Sequence, residues 1–297
     1  MRAREQSRLA AARRAHGGEC VELSDGVTHY RLEGPANGLP LILVHGATVP
    51  LWEFDFLVPE LVRAGFRTLR FDLYGHGLSD RPPVHYTLDL FVRQTLALLD
   101  AVRFARPAAV LGHSLGAAVA SAVAVREPHR IDRLALVAPM LDFNATSAWS
   151  RLFKVPAAGE LVMTLFGIRA LVRRRRRRYT LIGRPHLVDL FVEQASFAGF
   201  GRALLSMIRA ETLGNQAARY AALPALASEV LVISGGADAV IPAADIARVR
   251  ELVGRHEHFD LATAEHNLLL THPAEVATAL RAFCAAGGRA GAEASCD

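Results

Sequence analysis

The sequence predicts an α/β fold built on a mostly parallel sheet. Two observations carry this. Short β-rich apolar runs alternate with longer stretches of helical spacing. Several of those runs stop at glycine: Gly46 after 41–44, Gly112 after 108–111, Gly235 and Gly236 after 230–234. The composition permits such a fold, because 297 residues at 52% hydrophobic and 21% charged supply a large core and are too apolar for general disorder.

The elements follow in order. Runs 20–23 and 27–32 flank Ser24-Asp25-Gly26 and predict an antiparallel hairpin. The unbroken apolar run 41–44 predicts a buried strand, and 67–73 predicts another that ends at Gly75-His76-Gly77. Helical spacing covers 90–102, a strand covers 108–111, and a helix runs over 115–125 until Pro128 stops it. Strands are expected at 134–138, 230–234 and, more weakly, 258–262, and a last helix at 273–285 with Pro273 at its start. Between Pro139 and Leu223 the alternation fails and only helical patterns remain. A helical insert at this point in a βα array predicts a lid over the strand ends. The expected organisation is a basic flexible arm at 1–17, a core at 18–139 and 224–285, a lid at 140–223 and a flexible tail at 286–297.

Charge and cysteine content exclude several classes. The net charge is +5, but segment 145–185 holds ten basic residues against Glu160 alone, so the rest sums to −4. General nucleic-acid binding is therefore not expected. Cys20, Cys284 and Cys296 have neither a disulfide pattern nor metal-ligand spacing. No apolar stretch reaches the roughly 20 residues a membrane-spanning helix needs. The start of the chain has no secretory apolar region. A cytoplasmic location is the expectation.

The chemistry concentrates at Gly112-His113-Ser114-Leu115-Gly116, between a strand and a helix. A nucleophile on so sharp a turn needs small neighbours two positions to either side, and the following helix start points free N–H groups at developing negative charge. A serine hydroxyl needs a base, and the base an orienting acid. Asp238, just past 230–234, is the acid expected at the same sheet edge; Asp142 is the alternative. Among His256, His258, His266 and His272, only His266 falls in the loop after the last strand, so it is the expected base. The expected oxyanion donors are the backbone amides of Ala47 and Leu115, with Thr48 as the alternative to Ala47. His45 and His113 are expected to hydrogen-bond within their turns.

With these residues in order, the chain resembles the α/β-hydrolase superfamily in its lid-bearing serine esterase and lipase-like branch. The resemblance covers 38–283. It rests on His45-Gly46, on Asp72-Leu73-Tyr74-Gly75-His76-Gly77-Leu78-Ser79-Asp80-Arg81-Pro82, on the Ser114 turn, on Asp238 before Ile241-Pro242, and on His266 before His272-Pro273. It implies an eight-stranded, mostly parallel sheet flanked by helices with a helical lid after strand 6, no cofactor, and two-step acyl transfer through Ser114. The 72–82 segment reads as structural, with a substrate role for Tyr74 or His76 as the alternative. Superfamily members that open halides or epoxides resemble one another in placing Asp where Ser114 stands, which argues against that chemistry here.

Lid residues Leu161, Val162, Leu165, Phe166, Ile168 and Val172, with Phe191, Phe197, Phe200 and Met207, are expected to line an apolar acyl pocket. The expected activity is hydrolysis of apolar carboxylic esters. The alternatives are a carbon–carbon bond hydrolase or perhydrolase with the same triad, or a non-catalytic ligand-binding homologue. Arg173, Arg174, Arg175, Arg176, Arg177 and Arg178 are expected on an exposed segment, where an anionic membrane surface is the partner they suit.

Overall fold

A computed structural model of the chain describes residues 2–104, 107–147 and 150–286. Eight strands form one sheet: β1 (Glu19–Leu23), β2 (Gly26–Glu33), β3 (Leu39–Val44), β4 (Phe66–Phe71), β5 (Ala108–His113), β6 (Ile131–Val137), β7 (Glu229–Gly235) and β8 (Glu257–Leu261). Their spatial order is β1-β2-β4-β3-β5-β6-β7-β8, with β2 antiparallel to both its neighbours and every other pairing parallel. The expected strands are all present. β4 ends two residues before the apolar run does, because Leu73 N–H donates to His45 Nε2 rather than to a neighbouring strand.

The period-2 rule of a strand sorts the core into two layers. Ile42, Val44, Val110, Leu134, Leu136 and Val232 face one layer, with α3 (Leu88–Ala101) and α4 (Leu115–Arg126). Leu41, Leu43, Leu111, Val137, Leu231 and Ile233 face the other. That layer is closed by α2 (Leu57–Arg63) and the last helix, α14 (Pro273–Ala286). Register aligns Val44 with Gly112 and His113 with Val137, so β3, β5 and β6 end at one edge.

Between β6 and β7 the regular elements among the described residues are all helical: α5 (Phe143–Thr146), α6 (Ser150–Lys154), α7 (Ala158–Val162), a wide π-turn (Met163–Gly167), α8 (Ile168–Leu181), α9 (Leu187–Ser196), α10 (Phe200–Arg209), α11 (Ala217–Ala221) and a short 3-10 turn (Leu223–Ala225). After β7 come α12 (Ala243–Leu252) and, before α14, the short α13 (Leu268–Thr271).

The start of the chain corrects the expectation of a loose arm. Arg2–His16 forms helix α1. Leu9 and Ala12 are buried against Leu78 and Phe197. Arg13 donates to Leu78 O and pairs with Asp80, both at 2.8 Å, and His16 lies 2.6 Å from Glu193 on α9. Two apolar side chains one turn apart suffice to dock it, too narrow a stripe to stand out in sequence. The expected tail 287–297 lies outside the described residues.

Candidate active site

The turn after β5 holds Ser114 in a conformation that L-residues avoid, φ 54° and ψ −113°. Its neighbours show why they are glycine. A Cβ on Gly112 would meet Gly116 O at 2.2 Å, and one on Gly116 would meet Val44 O at 2.1 Å. Ser114 N–H donates to Val137 O at 2.9 Å, continuing the β5–β6 ladder, and Ser114 opens α4.

Asp238 and His266 meet from two different loops. Asp238 Oδ2 lies 2.8 Å from His266 Nδ1, while its Oδ1 accepts from Val240 N at 2.7 Å and Ile241 N at 3.0 Å. Burial alone would raise the Asp238 carboxyl, but the hydrogen bond and charge of His266 and the two amides hold it below its ordinary value. For His266, burial is the largest influence and lowers it; Asp238 pulls upward, the His113 charge pushes down again, and the net is below the ordinary 6.5. The imidazole is thus neutral near pH 7, as a general base must be.

The alternative residues are engaged elsewhere. Asp142 caps α5 by accepting from Ala145 N. His256 lies by Gly254 O and Arg250, His258 by Ser234 Oγ, and His272 by Thr271 Oγ1.

The loop after β3 reaches the same place. A Cβ on Gly46 would lie 3.5 Å from Ser114 Cβ. Ala47 lines the cavity over Ser114, its carbonyl fixed by His76 Nε2 at 2.8 Å, and Leu115 is fully buried at the first turn of α4. His76 and Tyr74 are buried away from that cavity, and burial drives the His76 imidazole down to about 3. The 72–82 segment is therefore scaffold: Asp72 accepts from Leu51 N and Leu78 N and pairs with buried His29.

Sequence reasoning missed Glu53. It is buried within the Leu51-Trp52-Glu53-Phe54 turn, its Oε1 3.0 Å from His113 Nδ1, and its Oε2 accepts from Gly46 N at 3.1 Å. His113 Nε2 in turn lies 3.0 Å from His266 O. A charged residue inside an apolar run was the available signal.

The cavity holding Ser114 and His266 measures about 460 Å³. Its apolar wall comes from Met140, Phe143, Leu171, Leu181, Leu213 and Ile241. This corrects the expected acyl lining. Phe191, Phe200 and Met207 sit in the core, Phe197 packs on α1, and Leu161, Leu165 and Phe166 are exposed. The arginine run lies on α8, where Arg173, Arg174, Arg176 and Arg177 are exposed as expected and Arg175 and Arg178 are half-buried; Arg174, Arg175, Arg177 and Arg178 line the cavity while Arg173 and Arg176 do not. Arg175 donates to Thr48 Oγ1 and, at 3.4 Å, to Asn267 Oδ1. Arg178 pairs with Glu265. Buried Tyr179 anchors α8 edge-on against Trp52, with ring centroids 5.9 Å apart.

This arrangement coincides with a sequence match. The sequence model of the Alpha/beta hydrolase family matches residues 41–279. The chain belongs to the alpha/beta hydrolase family. It is 27% identical over 256 residues to the 2-hydroxymuconate semialdehyde hydrolase of Pseudomonas sp. strain CF600, covering 84% of this chain and 87% of that protein. It is 28% identical over 228 residues to the 2-hydroxy-6-oxo-2,4-heptadienoate hydrolase of Pseudomonas putida strain F1, covering 73% and 78%. A solved hydrolase from Pseudomonas aeruginosa PA01 superposes with a TM-score of 0.69 at 26% identity, over 90% of this chain and 97% of that one. These relatives support hydrolase activity for this family member. They do not single out esters.

Proposed function

We propose that this protein is a serine hydrolase of carboxylate-bearing substrates that breaks a carbon–carbon bond next to a carbonyl. The observation that carries the reading is the cationic cavity over Ser114. Four arginines line it against two acids, and those acids are engaged, Glu53 by His113 and Glu265 by Arg178. Such a wall suits an anionic group on the substrate far better than the purely apolar ester first expected. The relatives supply the bond type. Their substrates as named carry carboxylates, and a 2-hydroxy-6-oxo-2,4-heptadienoate has no ester or amide, so its hydrolysis must cleave carbon from carbon.

In this reading His266 takes the Ser114 proton and Ser114 Oγ adds to a ketone or aldehyde carbonyl. The Ala47 and Leu115 amides hold the oxyanion. Collapse breaks the carbon–carbon bond, the conjugated acid portion takes the electron pair, and the His266 imidazolium returns the proton to carbon. Water, activated by neutral His266, then releases the second acid from the acyl-serine. Asp238 orients the imidazole throughout.

Turnover of 2-hydroxy-6-oxo-2,4-heptadienoate beside p-nitrophenyl acetate and butyrate tests the proposal, with Ser114→Ala as control. A higher kcat/KM on the dienoate, lost in the variant, is expected. Efficient ester turnover with an inert dienoate returns the ester reading.

A further inference from the structure

The exposed side of α7, the π-turn and α8 has a composition that the catalytic cavity does not explain. Leu161, Leu165 and Phe166 are 60%, 42% and 65% exposed, on a protein whose other large apolar side chains are mostly buried. Arg169 and Arg173, four apart on α8, follow these three in sequence, with Arg176 one turn further on. Each of these arginines is exposed. No Asp or Glu occurs between Leu161 and Leu181, and the preceding Glu160 is held by Arg209. Three apolar side chains thus stand beside a field of uncompensated positive charge.

We infer that this face docks on an anionic phospholipid surface, with Leu161, Leu165 and Phe166 entering the headgroup boundary and Arg169, Arg173 and Arg176 meeting lipid phosphates. Charge selects the partner. A second copy of this chain would bring the same arginines face to face, whereas an anionic bilayer offers the complementary sign and an apolar layer together. Arg174, Arg175, Arg177 and Arg178 of the same helix line the cavity, and the docking residues are distinct from them. Vesicle binding is measured without turnover and is independent of what Ser114 attacks.

The test is co-sedimentation of the full chain with phosphatidylcholine vesicles, with and without phosphatidylglycerol. Retention on the anionic vesicles only, falling as salt shortens the roughly 8 Å screening length, is expected. Arg173→Glu/Arg176→Glu should weaken it by about tenfold or more. Phe166→Ser should weaken it at high salt, where the apolar contacts remain. None of these residues lines the cavity, so turnover of a water-soluble substrate without vesicles should be unchanged in both variants. Equal retention on neutral and anionic vesicles, or binding indifferent to both variants, overturns the inference. A wild-type dimer in sedimentation velocity that Phe166→Ser converts to monomer would show the face to be a contact between copies and overturns it equally.

Discussion

His113 Nδ1 lies 3.0 Å from Glu53 Oε1 with both side chains buried, one residue before Ser114. The pair joins three parts of the site: Glu53 accepts from Gly46 N, and His113 reaches the main-chain carbonyl of His266. For both groups burial works against charge, yet each is held charged by the other, Glu53 below its ordinary value and His113 above it.

That mutual shift has a pH signature. Glu53, lowered, contributes stability fully above its ordinary 4.5 and loses it as pH falls through its folded value. His113, raised, contributes fully below its ordinary 6.5 and loses it as pH rises through its folded value. The pair therefore stabilises most between these two ordinary values. Urea unfolding of wild type against Glu53→Gln/His113→Asn should show the largest difference in that window, shrinking above it. His113→Asn alone leaves a buried carboxylate unpaired and should cost about 3–5 kcal/mol, more than the double variant. A double-variant cost equal to the sum of the His113→Asn and Glu53→Gln costs would show that the charges are not coupled.

The rate profile should reflect the same neighbour. His266 is lowered by burial and by the His113 charge, their rings 4.9 Å apart, against the pull of Asp238. The other charged groups on the cavity wall are Glu53, which pulls His266 upward, Glu265, and Arg174, Arg175, Arg177 and Arg178. The acid limb of kcat/KM should accordingly fall below pH 6.5, with activity rising through it as the base deprotonates. His113→Asn removes the cation and leaves Glu53, so the limb should move to higher pH. A limb that stays in place would mean that His266 does not feel the pair.

The backbone at Ser114 separates activity from stability. Ser114→Ala should lower kcat by roughly four to six orders of magnitude if Ser114 is the nucleophile. Ser114→Gly removes the same hydroxyl and also relieves φ 54°, so it should be as inactive yet more stable by about 1 kcal/mol. A glycine variant no more stable than the alanine variant would show that the turn stores no strain.

The meeting of Asp238 with His266 beside the cavity of Ser114 could be read because a parallel sheet gathers the ends of its strands at one edge, so position after a strand already implies proximity. Glu53 could not be paired in the same way: His113 is sixty positions away, and neither spacing nor charge pattern links them. The six arginines were legible as a charge cluster but not as a wall, since which of them turn inward is set by Tyr179 docking on Trp52. Helix α1 was hidden because its docked face is two residues wide.

That narrow face gives α1 a mechanical role. Besides His16 and Glu193, Arg8 donates to Ser196 Oγ at 3.1 Å and Ala198 N donates to Glu5 at 2.7 Å. These contacts hold the end of α9, in the insert, against the core. Removing residues 1–17 should lower hydrogen-exchange protection in α9 while leaving β5 unchanged. Unchanged protection in α9 would show that α1 rests on the insert without restraining it.

Under the proposed function, Arg175 is the residue that bears most directly on substrate choice. Its guanidinium reaches Thr48 in the loop after β3 and Asn267 beside His266, and its carbon lies 5.8 Å from the Phe191 ring centroid. It is half-buried on the cavity wall, with no carboxylate among these contacts. A substrate carboxylate could exchange for the neutral Thr48 and Asn267 oxygens, a gain of about 1.5–3 kcal/mol for a charge-assisted bond. Arg175→Met keeps the apolar stem and removes the charge. It should raise KM for the carboxylate-bearing dienoate by about 10- to 100-fold while leaving p-nitrophenyl acetate hydrolysis nearly unchanged. Arg175→Lys should recover only part of the loss, because a point charge cannot reproduce the planar fork. A uniform loss on both substrates would assign Arg175 to holding the loops of Thr48 and Asn267 in place rather than to recognising the anion.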